Sequence, residues 1–203
     1  FLRRLSAGDR AQAARAGRAI GFDLETSKFA RDSIAIAGWP SEIGQALVPM
    51  FAHVEPDEVM RLLNEEAERA PQQEAVPLIP LLTLLKERGL ALGVATNDSE
   101  RPARAHLDSA RIAGMFDFIA GSDSGHGGKP APGQLRAFAR AVDLPPAQIA
   151  MVGDSTHDLR AGRSAGMATV AVLTGLALAE ELAPFADVVL PDIGHIPAWL
   201  ETR

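Results

Sequence analysis

The segment Ile149-Ala-Met-Val-Gly-Asp-Ser-Thr-His-Asp158 joins a short apolar run to a glycine and two carboxylates four residues apart. Residues 149–152 have the pattern of a buried parallel strand, and Gly153 permits a sharp exit from it. Asp154 then falls at the carboxyl end of the strand and Asp158 in the first turn of the following helix. Hard cations such as Mg²⁺ prefer oxygen ligands of this kind, so the segment predicts a magnesium site. An ordinary strand-to-helix loop with capping acids is the alternative.

A second strand end lies upstream, in Leu90-Ala-Leu-Gly-Val-Ala-Thr-Asn97. The apolar run 90–95 closes on Thr96 and Asn97, and a helix is expected over residues 100–111. A hydroxyl, an amide and the free N–H groups of a helix start would face one point, which suits a phosphate. A routine turn after a strand is the alternative reading.

The third element is the glycine-rich loop Gly121-Ser-Asp-Ser-Gly-His-Gly-Gly-Lys-Pro-Ala-Pro-Gly133, which carries a single lysine. Lysine is scarce, because the chain has 17 arginines against Lys28, Lys86 and Lys129. A compact ammonium on a flexible stem can reach a carboxylate and a phosphate together, whereas the planar arginine fork fits less well. Lys129 is therefore a candidate site residue, with a solvated loop lysine as the alternative.

Together the three elements resemble the second, third and fourth signature motifs of the haloacid dehalogenase-like hydrolase superfamily, most closely its phosphoglycolate phosphatase group. Thr96 resembles the hydroxyl of the second motif, Lys129 the lysine of the third, and residues 153–158 the Gly-Asp-x-x-x-Asp of the fourth. The resemblance covers residues 76–192. It implies an α/β fold, a three-layer Rossmann-like parallel sheet, with an all-helical cap domain.

The pattern along the chain agrees with this division. We expect a helical cap over residues 1–73, without strand character of any length and with helices over 1–19, from 39–41 onward and from Pro56 to about residue 70, and an α/β core over 74–203. Its helices are predicted at 78–88, 100–111, 132–142 and 156–165 and its strands at 90–95, 116–120, 148–152, 168–173 and 187–190. Alternation of strands and helices implies a parallel sheet with ligands beyond the carboxyl ends of the strands.

The first motif of the superfamily, an Asp-x-Asp whose first aspartate is the nucleophile, has no convincing counterpart. Asp23-Leu-Glu-Thr26 resembles it superficially, but residues 16–22 contain two glycines and an arginine where a buried strand should be apolar. We expect the first strand and its aspartates to lie upstream of Phe1. Residues 1–203 alone would then lack the nucleophile and show no turnover.

The resemblance implies a Mg²⁺-dependent phosphatase that acts on a small phosphorylated metabolite, phosphoglycolate-like, through an aspartyl-phosphate intermediate. Asp154 would bind Mg²⁺ directly and Asp158 directly or through water. Lys129 would offset the repulsion between nucleophile and phosphate. Thr96 and the backbone N–H of Asn97 would hold a phosphoryl oxygen, while the cap selects the leaving group.

Other functions remain open. A 2-haloacid dehalogenase, a phosphonatase or a phosphosugar mutase would use a similar constellation, although the paired Asp154 and Asp158 count against a metal-free dehalogenase. A non-catalytic phosphate- or Mg²⁺-binding interaction protein belongs to a different class. A receiver-like phosphoacceptor domain would not explain the helical first 72 residues.

Composition narrows the classes further. The chain of 203 residues has 47% hydrophobic and 23% charged residues and a formal charge of −6, which is typical of a globular protein and argues against nucleic acid as a partner. The absence of cysteine excludes disulfides and cysteine-dependent phosphatase chemistry. No apolar run approaches the ~18 residues of a membrane span, so we expect a cytoplasmic protein without a membrane partner. The oligomeric state stays open.

Three further side chains are expected to be structural. His157 is interpreted as a helix-surface histidine and His126 as a solvated loop residue, although both could reach a ligand. Trp39 stands at helical spacing with apolar neighbours and is expected to pack in the core of the cap.

Overall fold

The computed structural model describes residues 1–30, 33–51 and 54–202, and it shows a mixed α/β protein with parallel sheets. We call residues 1–70 the helical region and residues 71–202 the α/β region. The helices of the helical region are α1 (Leu2–Leu5), α2 (Arg10–Ala19), α3 (Ile34–Ala37), α4 (Pro40–Leu47) and α5 (Pro56–Glu68).

The first predicted helix is interrupted. Residues 6–9 form a break in which Ala7 and Gly8 have positive φ, and Asp9 then caps α2 by accepting hydrogen bonds from the N–H groups of Ala11 and Gln12. The break arises because an N-cap aspartate competes with helix continuation at this point. The predicted starts of α4 and α5 are confirmed, each with a proline in its first turn.

The expectation that this region has no strand is wrong. Strands β1 (Phe22–Asp23) and β2 (Lys28–Phe29) form a two-residue antiparallel hairpin, in which the rings of Phe22 and Phe29 lie 4.7 Å apart. The Asp23 carboxylate accepts hydrogen bonds from the N–H groups of Glu25 and Thr26 and so shapes the turn. Strands of two residues are too short to show an alternating sequence pattern.

The helical region has its own apolar core. Fully buried side chains from α2, α4 and α5 meet there, among them Ala16, Leu47 and Val59. Helix α5 also packs against one helix of the α/β region. The two regions therefore share an interface as well as having separate cores.

The α/β region follows the predicted alternation, with shorter strands than expected. Its helices are α6 (Leu78–Glu87), α7 (Glu100–Ser109), α8 (Gly133–Ala141), α9 (Thr156–Ala165), α10 (Ala179–Leu182) and α11 (Ile196–Leu200). Its strands are β3 (Gly93–Ala95), β4 (Phe118–Ala120), β5 (Ala150–Gly153), β6 (Ala168–Val172) and β7 (Val188–Leu190). Helices α10 and α11 were not expected, since four or five residues carry little helical periodicity.

The strands form two separate parallel sheets, β3-β4 and β5-β6-β7. Within the described residues, β3 and β5 pair on one side only, and both line a cavity of about 730 Å³ between the sheets. We call this cavity the slot. Apolar side chains from α6, α8 and α11 complete its walls, including Leu82, Phe138 and Trp199. Two open strand edges thus face one apolar space.

Helix α9 fixes the β5-β6 pair. Leu159 is fully buried against Ala171 of β6 and Leu182 of α10. Gly166 ends the helix in the left-handed conformation, with φ of 82°, and turns the chain directly into β6. No helix among residues 1–30, 33–51 and 54–202 is long and apolar enough to cross a bilayer.

We expect Leu159→Ala to lower the free energy of unfolding by about 2–5 kcal/mol, because it leaves a cavity beneath the sheet. Urea denaturation followed by circular dichroism measures the loss. Leu84→Ala is the matched control, since Leu84 is 38% exposed and its truncation should cost on the order of 0.5–1 kcal/mol. Equal losses for the two variants would contradict this packing.

Candidate functional site

A second cavity of about 730 Å³ lies between the helical region and the carboxyl ends of β3 and β5. We call it the site cavity. All five predicted site residues line it, namely Thr96, Asn97, Lys129, Asp154 and Asp158. They come from three separate loops, so the fold brings together residues that are up to 62 positions apart in the sequence. Their roles stay predictions, whereas their convergence is observed.

Asp158 is fixed by the start of α9. It forms a capping box with Ser155, whose hydroxyl and backbone N–H both donate to Oδ2 of Asp158, at 2.7 and 3.1 Å. The N–H of Asp158 donates back to the Ser155 hydroxyl at 3.3 Å. A serine three residues before an acid is the sequence signature of this motif, so the local arrangement follows from the sequence.

Lys129 reaches Asp158 across the cavity floor. Its Nζ lies 2.6 Å from Oδ1 of Asp158 and donates to the carbonyl of Ala95 at 2.7 Å. Both ionised side chains are almost fully buried, with 10% and 8% of their side-chain surface exposed. The lysine is therefore a placed cation at the site, and the alternative of a solvated loop lysine is wrong.

Asn97 has a different local function from the one expected of its amide. Its side chain accepts from the N–H of Lys129 at 2.8 Å and donates to the carbonyl of Lys129 at 2.9 Å. The amide thus clamps the lysine loop to the end of β3. Thr96 closes the same turn, because its hydroxyl accepts from the N–H of Asp98 at 3.0 Å.

Asp154 follows β5 directly and faces the cavity. Partial burial raises the pKa of its carboxyl above the ordinary value of 3.8, and the nearby Asp158 carboxylate raises it further, while Lys129 acts in the opposite direction. A Cβ at Gly175 would overlap Oδ2 of Asp154 and lie 2.8 Å from its Cβ, so a larger residue in the loop after β6 would displace the Asp154 side chain. The sequence analysis did not single out Gly175.

The donor set fits a hard divalent cation. Within the described residues no group of three or more His, Cys, Asp or Glu side chains is arranged for a metal. Mg²⁺, however, commonly takes one or two carboxylates and completes its shell with waters and substrate phosphate oxygens. Asp154 would offer the direct carboxylate, and its pKa is raised first by burial and then by the Asp158 carboxylate, both of which a bound cation would offset. Asp158, already held by Lys129 and Ser155, stands beside it.

The helical region supplies the opposite wall of the cavity. The described residues that it contributes are Ala35, Gly38, Pro40 and Ile43, all of them uncharged. Trp39 does not pack in the core as expected, because its indole Nε1 donates to the carbonyl of Lys129 at 3.2 Å. No pattern in the sequence could have revealed this contact, since the partner is a backbone atom 90 positions away.

The histidines and Asp23 can now be placed. His157 lines the site cavity, whereas His126 lies beside the ring of Phe118, with ring centroids 6.1 Å apart. Asp23 belongs to the β1-β2 hairpin and is not among the residues that line the site cavity. Its rejection as a nucleophile agrees with this placement.

Comparison with known proteins gives a consistent result. Residues 42–172, more than half of the chain, match the family described as haloacid dehalogenase-like hydrolase. The chain is 34% identical over 122 residues to a phosphoglycolate phosphatase of Rhodospirillum rubrum, covering 60% of this chain and 51% of that relative. It is 27% identical over 163 residues to the pyrophosphatase PpaX of Bacillus mycoides, covering 76% and 75%.

Among solved structures, a predicted phosphoglycolate phosphatase from Haemophilus somnus superimposes with a TM-score of 0.71 at 21% identity, over 98% of this chain and 91% of that one. At that identity the likeness shows the fold. The chain spans about half the length of several curated relatives that it matches.

We expect opposite stability changes when the two site aspartates are neutralised without divalent ions. Because the pKa of Asp154 is raised in the folded state, ionisation of this carboxyl destabilises the folded protein at pH values above that pKa. Below the pKa of the unfolded chain the carboxyl is protonated in both states, and the effect is absent. Asp154→Asn should therefore raise Tm slightly near neutral pH. Asp158→Asn should lower the free energy of unfolding by on the order of 3 kcal/mol, because it leaves the Lys129 ammonium buried without its partner.

Thermal unfolding near neutral pH and again below pH ~4 measures both effects, and the gain from Asp154→Asn should vanish at the acid pH. A loss of stability in Asp154→Asn at neutral pH would show that this carboxylate is stabilised by the site.

Proposed function

We propose, because this chain belongs to the haloacid dehalogenase-like hydrolase family, that it forms the substrate-binding and metal-binding part of a Mg²⁺-dependent phosphatase for a small phosphomonoester. The observation that carries the proposal is the buried Lys129–Asp158 pair beside Asp154 in a cavity of about 730 Å³. Charged groups gathered in a cleft, with a perturbed pKa beside a specific charge partner, mark a candidate functional site.

Each side chain has a role that its position supports. Lys129, held by Asp158 and Ala95, presents a fixed cation to a phosphoryl oxygen. Thr96 lies on the same wall and offers a hydroxyl to another oxygen. Asp154 is the proposed direct ligand of Mg²⁺, with Asp158 orienting the shell directly or through water. The ion, when bound, neutralises charge on the transferring phosphoryl group.

The helical region is proposed to act as the cap. It covers the site cavity with the uncharged wall formed by Ala35, Gly38, Pro40 and Ile43. A cover of this kind excludes water from the reacting groups and contacts the leaving group rather than the phosphate. Substrate choice is therefore assigned to this wall.

The nucleophilic aspartate is proposed to stand at the end of a further strand that lies in the slot. Its two open edges, β3 and β5, are parallel strands in an apolar space, which suits one further strand between them. Asp154 lines the carboxyl end of the slot and also the site cavity. A strand placed there would deliver the aspartate at its end to the phosphate, and that aspartate would form the aspartyl-phosphate intermediate.

Activity assays test the proposal. A protein in which a strand ending in Asp-x-Asp-x-Thr precedes Phe1 should hydrolyse p-nitrophenyl phosphate with Mg²⁺, and residues 1–203 alone should not. In the extended protein, Asp154→Asn should reduce Mg²⁺-dependent kcat/KM by on the order of 100-fold, because it removes a direct metal contact. Steady-state kinetics over a Mg²⁺ series measures both.

Asp108→Asn is the matched control, since Asp108 is exposed on α7 and does not line the site cavity. Wild-type turnover in Asp154→Asn would refute the metal assignment. If the extended protein bound phosphate and Mg²⁺ without turning over any ester, a non-catalytic binding protein would be the better description.

The relatives' names make phosphoglycolate the first ester to test, but the cavity favours a second candidate class. Among its described lining residues Lys129 is the one lysine or arginine, and Asp98, Asp154, Asp158 and Glu181 are acidic. A carboxylate on the leaving group would meet the uncharged wall without a described cation to pair with it. An ester with an uncharged leaving group fits these contacts better.

We expect kcat/KM for ethyl phosphate to exceed that for phosphoglycolate by roughly tenfold in the extended protein, since an unpaired carboxylate costs a kcal/mol or more. Ala35→Lys, which adds a cation to the wall at a half-buried position, should reverse the order. A coupled phosphate-release assay measures both esters. A preference for phosphoglycolate in the unaltered protein would reject the second class and leave the phosphatase proposal standing.

A further inference from the structure

Trp39 joins the helical region to the lysine loop at the edge of the site cavity. Its indole Nε1 donates to the carbonyl of Lys129 at 3.2 Å. Its ring lies against Gly128, where a Cβ would stand 2.9 Å from Cε2 and 3.0 Å from Cζ2 of the tryptophan. The start of α4 therefore rests directly on the backbone that carries the site cation.

The backbone of Trp39 is held at the start of α4. The backbone N–H of Trp39 donates to the Glu42 carboxylate at 2.8 Å, and Pro40 fixes the first turn of α4. A Cβ on Gly38 would come within 2.6 Å of the same Glu42 carboxylate, so the chain before Trp39 is tightly packed. Little freedom is left for the indole to move independently of α4.

The backbone of Lys129 is held from both regions. Its carbonyl accepts one hydrogen bond from Asn97 of the α/β region, at 2.9 Å, and one from Trp39 of the helical region. Its Nζ is held by Ala95 and Asp158. Displacement of Trp39 would remove one of the two bonds that fix this carbonyl and so loosen the origin of the lysine side chain.

The two regions also touch through α5 and α7. Glu68 at the end of α5 pairs with Arg101 of α7 at 2.6 Å, and the Ala67 carbonyl lies 2.7 Å from Nε2 of His106. These contacts do not involve the lysine loop. The contact between Trp39 and Lys129 is thus a separate link between the helical region and that loop.

We propose that Trp39 is a positioning residue, which couples closure of the helical region to placement of Lys129. The inference rests on the proposed function in one respect, that Lys129 is the cation facing the phosphate. Trp39 itself does not line the site cavity and acts through the lysine loop.

Inorganic phosphate tests the coupling without turnover. The chain contains two tryptophans, Trp39 and Trp199, so the difference between wild type and Trp39→Phe isolates the emission of Trp39. Phosphate should change the fluorescence of the wild type and leave that of Trp39→Phe unchanged. Calorimetry should show that the variant still binds phosphate, roughly threefold to tenfold more weakly, the loss expected for one hydrogen bond.

A double-mutant cycle separates positioning from a general loss of stability. In the extended protein, Trp39→Phe should lower kcat/KM by roughly threefold to tenfold when Lys129 is present and have no further effect in Lys129→Ala. Phe51→Leu is the control, because Phe51 is buried in the core of the helical region. Any effect of Phe51→Leu should be the same in both Lys129 backgrounds.

The outcomes distinguish the two proposals. Equal losses from Trp39→Phe in both Lys129 backgrounds, or wild-type phosphate affinity and fluorescence response in Trp39→Phe, would overturn the positioning role while leaving the phosphatase intact. Failure of the wild type to bind phosphate at all would overturn the proposed function and the inference together.

Discussion

The buried ion pair between Lys129 and Asp158 is the contact on which the site depends. Removing two charges from water is costly, and the pair is favourable only because further bonds satisfy both partners. Ser155 donates twice to the carboxylate, and the carbonyl of Ala95 accepts from the ammonium. The ammonium has one more donor, which makes it a suitable anchor for a phosphoryl oxygen. The structural ion pair and the proposed ligand site are thus the same group of atoms.

The pair also joins the two sheets. Lys129 lies in the loop that follows β4, and Asp158 lies on the helix that follows β5. Because no strand pairing links β3 to β5 in the described part of the chain, this contact is one of those that bridge the carboxyl ends of the sheets. Asn97 extends the bridge by clamping the lysine loop to the end of β3. The contacts that fix the position of Lys129 therefore also hold the charges of the site in place.

The sequence predicted what local patterns encode. Apolar runs ending in glycine or polar residues located five strands of the α/β region, and the spacing after one of these runs placed Asp158 in the first turn of a helix. The order of the three motifs placed Thr96, Lys129 and Asp154 at the same edge of the predicted sheet. The sequence could not predict contacts between distant residues. The side-chain amide of Asn97 binds the backbone of Lys129, and the indole of Trp39 donates to the carbonyl of Lys129, 90 positions away. The sequence did not predict the β1-β2 hairpin, because a strand of two residues is too short to show an alternation of apolar and polar residues.

The slot and the site cavity belong to one arrangement. Asp154 lines both, so the space between the sheets opens directly beneath the groups that would hold a phosphate. Parallel strands place their carboxyl ends at the same edge, and a strand between β3 and β5 would end between Ala95 and Asp154. Lys129 reaches over that same point from the β3 side, because its Nζ is bonded to the carbonyl of Ala95. Lys129 and Asp154 therefore both stand at the carboxyl ends of the strands that border the slot.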